Sequence, residues 1–158
     1  MRIECQNFRL TVEDHPSVEY TARVLGQRQQ RFTQRGGVRP VGVSCMIGGV
    51  GSDGVPQLWS TDPSGTYCAW KAHAVGRNSK SLLELLEKQY KDNSTEDDAL
   101  KLAVRALLEV VESGAKSIEI GVMRKGKPME MVDAAKIEAL VKQSETEKEA
   151  EAATGPTQ

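Results

Sequence analysis

Histidine is the first residue to seek for acid–base work or metal binding, and the chain has two, His15 and His73. Neither has a second His or a Cys at i+2 or i+4, the spacings that put two ligands on one face of a strand or helix. Each reads as a surface or internally satisfied histidine. The three cysteines, Cys5, Cys45 and Cys68, contain no CxxC pair, so they suggest neither a disulfide framework nor a zinc site. Cys45 and Cys68 fall in strand-like stretches and are expected to be small buried hydrophobes rather than nucleophiles. Ser64 sits in Pro63-Ser64-Gly65, without the flanking glycines that a GxSxG nucleophile elbow requires. Gly48-Gly49-Val50-Gly51 is glycine-rich but precedes a hairpin. A phosphate loop needs a following helix whose N–H groups face the anion. Glu96-Asp97-Asp98 offers three carboxylates, yet at a helix start they serve more simply as cap and dipole match. The run from Glu145 to Glu151 reads as a solvated face. No set of nucleophile, base and oxyanion donor comes together, and no cofactor or metal is implied.

The elements that would have to position any site are clearer. At 158 residues, 39% hydrophobic and 27% charged, the chain can bury the core of an ordinary globular domain. Its net charge of −1 gives no reason to expect a nucleic-acid or membrane partner. Arg28, Arg31 and Arg35 lie among Gln and Thr, as on a solvated or interface face of a helix. No apolar run reaches the length of a membrane span, and Met1 onward shows no signal-peptide core. Sparse, unpaired cysteines suit a reducing compartment, cytosolic or nuclear.

Residues 1–14 show no clear period. Pro16 suits the first turn of a helix, and Val18, Ala22, Leu25 and Phe32, with Thr21 and Gln29 on the same face, predict a helix to about Gln34. Gly36-Gly37 should end it. From Val41 to Val50 large and small residues alternate, predicting a strand whose small face (Gly42, Ser44, Met46, Gly48) admits a close neighbour. Gly51 to Gly54 and Asp62 to Gly65 read as turns, so Val55–Thr61 and Thr66–Ala74 complete an antiparallel meander. Two helices follow, Ser79–Tyr90 with Ser81 and Glu84 at capping-box spacing, and Thr95–Ser113, which Ser94 should cap and Gly114 stop. Its buried stripe should be Leu100, Ala103, Val104, Leu107, Leu108 and Val111. Ile118, Ile120 and Val122 predict a strand, Lys125 to Pro128 a turn, and Met129–Val132 a short return. Asp133 should cap a last helix carrying Ile137, Leu140 and Val141. Beyond residue 143 the chain lacks large apolar residues and is expected to fray into a disordered tail. Grouped strands and grouped helices predict an α+β fold with antiparallel sheet, whose strands look thin for a complete core.

Three stretches resemble proteasome alpha subunits, the type-7 branch most of all: residues 5–44, residues 61–90 and residues 106–125. Arg39-Pro40 with Gly42, Asp62-Pro63-Ser64-Gly65 after Thr61, Trp70-Lys71 between alanines, and Gly76-Arg77 stand in that family's order and spacing. The resemblance implies an N-terminal-nucleophile-hydrolase-like fold, two antiparallel sheets sandwiched between helix layers (αββα), here incomplete. It implies a non-catalytic subunit in a hetero-heptameric outer ring, contacting other alpha subunits and beta subunits, with assembly chaperones and a regulatory particle as further partners, in cytoplasm and nucleus. In that family beta subunits cut protein through an N-terminal threonine. Thr11, Thr21, Thr33 and Thr66 are internal and have no free α-amino group to serve as base, and Met1-Arg2-Ile3 offers no such nucleophile. On this reading residues 1–143 are the C-terminal portion of the family domain and 144–158 a charged tail. The portion that family members carry before the point aligned with Met1, with the gate segment, first strands, cap-binding lysine and most of the first helix, is on this reading absent. The segment Asp62–Gly65 is then scaffold, Trp70 a packing anchor, and Lys71 either locally paired or solvated. Residues 18–34 would face a beta subunit, with the two middle helices covering the opposite side. Without its first strands the chain is also expected to expose apolar surface, so a free-standing interaction module, binding assembly factors or competing with the intact subunit, is the alternative.

Overall fold

A computed structural model describes residues 1–111 and 117–153. The chain divides after Val75 into two compact units.

The first unit opens with α1 (Arg2–Val12) and α2 (Val18–Gln34). No helix is expected before residue 15, so α1 is a departure from the sequence reading. Its half-buried residues Met1, Glu4, Cys5 and Phe8 form an i, i+3, i+4, i+7 stripe. The stripe was hard to see because the bulkiest aliphatics lie off it: Ile3 and Leu10 are 75% and 82% exposed. Phe8 packs on Tyr20 with centroids 4.5 Å apart, and Glu4 pairs with Arg28. Pro16 does not enter the first turn of α2. Ser17 caps that helix instead, its side chain accepting the Tyr20 N–H at 3.1 Å. Ala22, Gly26 and Gln29 are buried on α2, whereas Phe32 is exposed.

β1 (Cys45–Val50), β2 (Pro56–Thr61) and β3 (Tyr67–Trp70) form the expected antiparallel meander. All are shorter than expected. Cys45 pairs with Thr61, so a strand continued back to Val41 would need partners from residues 62–65. Those residues are taken up by the turn, and Pro63 has no N–H to give. The close approach also falls on the other face of β1. A Cβ on Gly48 would meet nothing within 4 Å, while one on Gly49 would stand 2.5 Å from Val18 Cγ2. Thus Cys45, Ile47 and Gly49 face α2, and Met46 and Gly48 are exposed.

The second unit holds α3 (Ser79–Gln89), α4 (Glu96–Leu108), β4 (Gly121–Val122), β5 (Glu130–Met131) and α5 (Ala134–Ala153). Leu100, Val104, Ile118, Ile120, Ile137, Leu140 and Val141 form its core, with Leu107, Leu108, Val122 and Val132 against it. On α4 the inward residues include Ala106, while Ala103 is exposed. The predicted capping box is not formed: Asn78 occupies the N-cap of α3 without a side-chain bond, and Ser81 lies inside the helix. Thr95, not Ser94, caps α4. Its hydroxyl accepts the Asp98 N–H at 3.2 Å, while Ser94 Oγ donates to Lys91 O at 2.6 Å. Thr95→Ala should therefore cost about 1 kcal/mol in urea unfolding and Ser94→Ala much less. Glu96, Asp97 and Asp98 fill the first turn as expected. Glu109 is the C-cap of α4; the predicted stop at Gly114 and end at Ser113 lie outside the described residues. The β4–β5 ladder is short, but burial alternates from Ser117 to Arg124, and Val132 N–H reaches Ile120 O at 2.8 Å. α5 continues through residue 144 to Ala153, and Ser144 is 3% exposed. Helix and packing thus run past the boundary expected at residue 143; residues 154–158 lie outside the described residues. No described helix is long and apolar enough to cross a membrane.

Candidate functional site

The most developed polar cluster is the Asp62–Gly65 turn. It follows β2, and its backbone closes through Gly65 N–H to Asp62 O at 3.0 Å and Asp62 N–H to Thr66 O at 3.1 Å. Asp62 Oδ1 accepts Ser64 N–H at 2.8 Å, Thr66 N–H at 3.3 Å, and the Ser64 hydroxyl. Ser64 Oγ lies 2.8 Å from Thr66 Oγ1 and accepts the Thr66 N–H at 3.2 Å. The Ser64 hydroxyl, followed by backbone N–H groups, holds the Asp62 carboxyl below its ordinary value of 3.8. A carboxylate so stabilised is a weak base towards the hydroxyl it binds. The chemistry of this cluster is to fix a turn.

That turn is seated directly on α2. Gly65 has φ +91°, and a Cβ there would lie 2.5 Å from Gly26 O and 2.4 Å from Gln30 Cβ. In return, a Cβ on Gly26 would lie 2.6 Å from Gly65 O. Two glycines oppose each other so that backbone meets backbone. Gly26 was missed in the sequence, although an isolated glycine inside a helical pattern signals such a close approach. Nearby, Gln29 is 4% exposed and donates Nε2–H to Val43 O at 2.8 Å, tying the stretch before β1 to α2.

Because folding lowers the Asp62 pKa, its contribution is full above the ordinary carboxylate value and fades as pH falls through the lower folded value. Thermal melts from about pH 6 to about pH 2.5 should show a slope that Asp62→Asn flattens. Asp62→Ala should cost about 1 kcal/mol at neutral pH.

Trp70 is 40% exposed, donates Nε1–H to Ser60 Oγ at 2.8 Å, and stacks on His73 at 4.3 Å. His73 lies beyond β3, and its Nδ1 is buried without a hydrogen-bond partner among the described residues. Burial pushes its pKa down. Cys68 is exposed and Cys45 half-buried, correcting the expectation that both are buried; β3 is an exposed strand along its length. Lys71 is exposed just past β3. Arg39, Pro40 and Gly42 are exposed in the irregular segment before β1, and Gly76, with φ +112°, begins the second unit.

In the second unit a cleft is lined by Lys91, Asp98, Lys101 and Glu147. Its cations and carboxylates balance, so it favours neither sign of ligand. Among the described residues no group of His, Cys, Asp and Glu is placed to hold a metal ion.

Residues 1–123 match the profile of the family described as Proteasome subunit. The chain is 56% identical over 147 residues to the proteasome subunit alpha type-7 of Dictyostelium discoideum, covering 93% of this chain and 58% of that protein. It is 55% identical over 159 residues to the alpha type-7 subunit of Solanum lycopersicum, covering 98% and 60%. Against the alpha type-8 subunit of Mus musculus it is 49% identical over 150 residues, covering 94% and 60%. The chain thus spans about three-fifths of the length of these relatives. With an α+β architecture, antiparallel sheets and alpha-subunit similarity along nearly its whole length, this chain belongs to the proteasome subunit family.

Proposed function

We propose that the chain is a structural, non-catalytic subunit of the outer, alpha ring of the proteasome core particle, supporting ubiquitin-dependent and ubiquitin-independent protein degradation in cytoplasm and nucleus. Its partners on this reading are other alpha subunits in a hetero-heptameric ring, beta subunits, assembly chaperones and the regulatory particle. The observation that carries the reading is the similarity to alpha subunits across 93–98% of the chain. The turn on α2 supports it, because Asp62, Ser64 and Thr66 spend their polar groups on one another. The activity is binding, through heterologous side-to-side contacts that close a ring.

One observation favours a second reading. Ile3, Leu10, Val43 and Val55 are more than half exposed, and exposed apolar surface invites association. A free-standing module that binds assembly factors or competes with the intact subunit fits that surface. The purified chain should hydrolyse no fluorogenic peptide, whereas complexes containing it should. Hydrolysis by the isolated chain, abolished by Ser64→Ala, would refute the non-catalytic assignment.

A further inference from the structure

The β4–β5 hairpin has two unlike faces. Ile120, Val122 and Val132 turn into the core of their unit. Arg124 steadies the hairpin from the same side, with Nε 2.9 Å from Glu96 Oε2 and Nη1 2.5 Å from Glu130 Oε2. The other face carries methionine. Met123, Met129 and Met131, three of the five methionines in the chain, are 45%, 59% and 58% exposed.

Their register brings them together. Met131 pairs with Gly121 and Glu130 with Val122; Met123 and Met129 lie just beyond this ladder, where the strand period continues the face of Gly121 and Met131. Gly121 has no side chain, and the side chains of Met129 and Met131 lie beside it. Met129 Sδ and Met131 Sδ stand 3.2 Å and 3.7 Å from the point a Cβ on Gly121 would occupy. Two thioethers thus share one small volume, and Met123 follows β4 directly.

A thioether is a neutral, soft donor. It discriminates against Mg²⁺ and Ca²⁺, which take oxygen, and selects Cu(I) and its analogue Ag(I). Methionine has three rotatable bonds, so its sulfur can converge on an ion while the backbone stays fixed. The cation nearest in sequence, Arg124, is already neutralised by Glu96 and Glu130. The geometry points to a soft monovalent-metal site in which Met123, Met129 and Met131 ligate Cu(I) through their thioether sulfurs, with Gly121 leaving the space for it.

Ag(I), which is redox-stable, is the probe. It is titrated into the full chain with Cys5, Cys45 and Cys68 replaced by alanine, so that thiolates do not compete, and followed by NMR of labelled methionine methyls. The methyls of Met123, Met129 and Met131 should shift to a one-equivalent endpoint while those of Met1 and Met46 stay. Met129→Leu and Met131→Leu, which conserve volume, should each weaken binding by about tenfold or more. Gly121→Val should weaken it too. Selectivity should vanish in denaturing urea. Parallel shifts of all five methyls, undiminished affinity in the Met129→Leu/Met131→Leu double variant, or selectivity that survives urea would overturn the site.

Discussion

Gly65→Ala is expected to lower the unfolding free energy by about 3–5 kcal/mol, read as a shift of the urea midpoint. Two costs combine. An L side chain at φ +91° is strained, and its Cβ would stand 2.4 Å from Gln30 Cβ and 2.8 Å from Gln30 N. Those atoms belong to α2, so the turn must lift or the helix must move. Lifting the turn breaks the bonds by which Asp62 gathers Ser64 and Thr66. Gly48→Ala is the control, because nothing lies within 4 Å of its Cβ position; it should stay within about 0.5 kcal/mol of the parent. If both substitutions behave alike, the seating of the turn on α2 is not a determinant of stability.

Ile137→Ala should cost about 3 kcal/mol, within the range for truncating a buried isoleucine. Ile137 is 4% exposed and sits among Leu100, Val104, Ile118, Ile120, Leu140 and Val141. The cluster joins α4, α5 and the strand-like segment before β4, so a cavity there is felt by three elements that cannot all close on it. Ala139→Gly at an exposed position of α5 is the comparison, expected at about 1 kcal/mol from helix propensity. Hydrogen exchange should show the Ile137 variant opening α4 and α5 at lower free energy than the parent.

The meander, the two middle helices and the Asp62–Gly65 turn were legible because each has strong local chemistry. Turns came from glycine, proline and aspartate at short spacing; helices came from leucine and valine at the helical period. Helix α1 was not legible, since its inward stripe mixes Glu4 and Cys5 with Phe8 while Ile3 and Leu10 lie off it. Strand ends were overdrawn, because alternation at Val41 and Val43 says nothing of whether a partner strand extends that far. The small-residue signal in β1 was real but belonged to the other face: Gly49, packed on Val18, carries the contact. At the site, Asp62 and Ser64 were visible, whereas their seat on Gly26 was a tertiary fact that only a glycine inside a helix hinted at. That Ala153 still lies within α5 reflects the helix propensity of a Glu-, Lys- and Ala-rich sequence, which a reading from hydrophobicity discounts.

On the function proposed above, the chain works by entering a ring of similar subunits. Native mass spectrometry on the full chain, tagged and captured from cells, tests it most directly. An assembly holding other alpha-type subunits and beta subunits is the expected result, with Gly65→Ala under-represented in it. Capture of the chain alone, or with chaperones only, would contradict it.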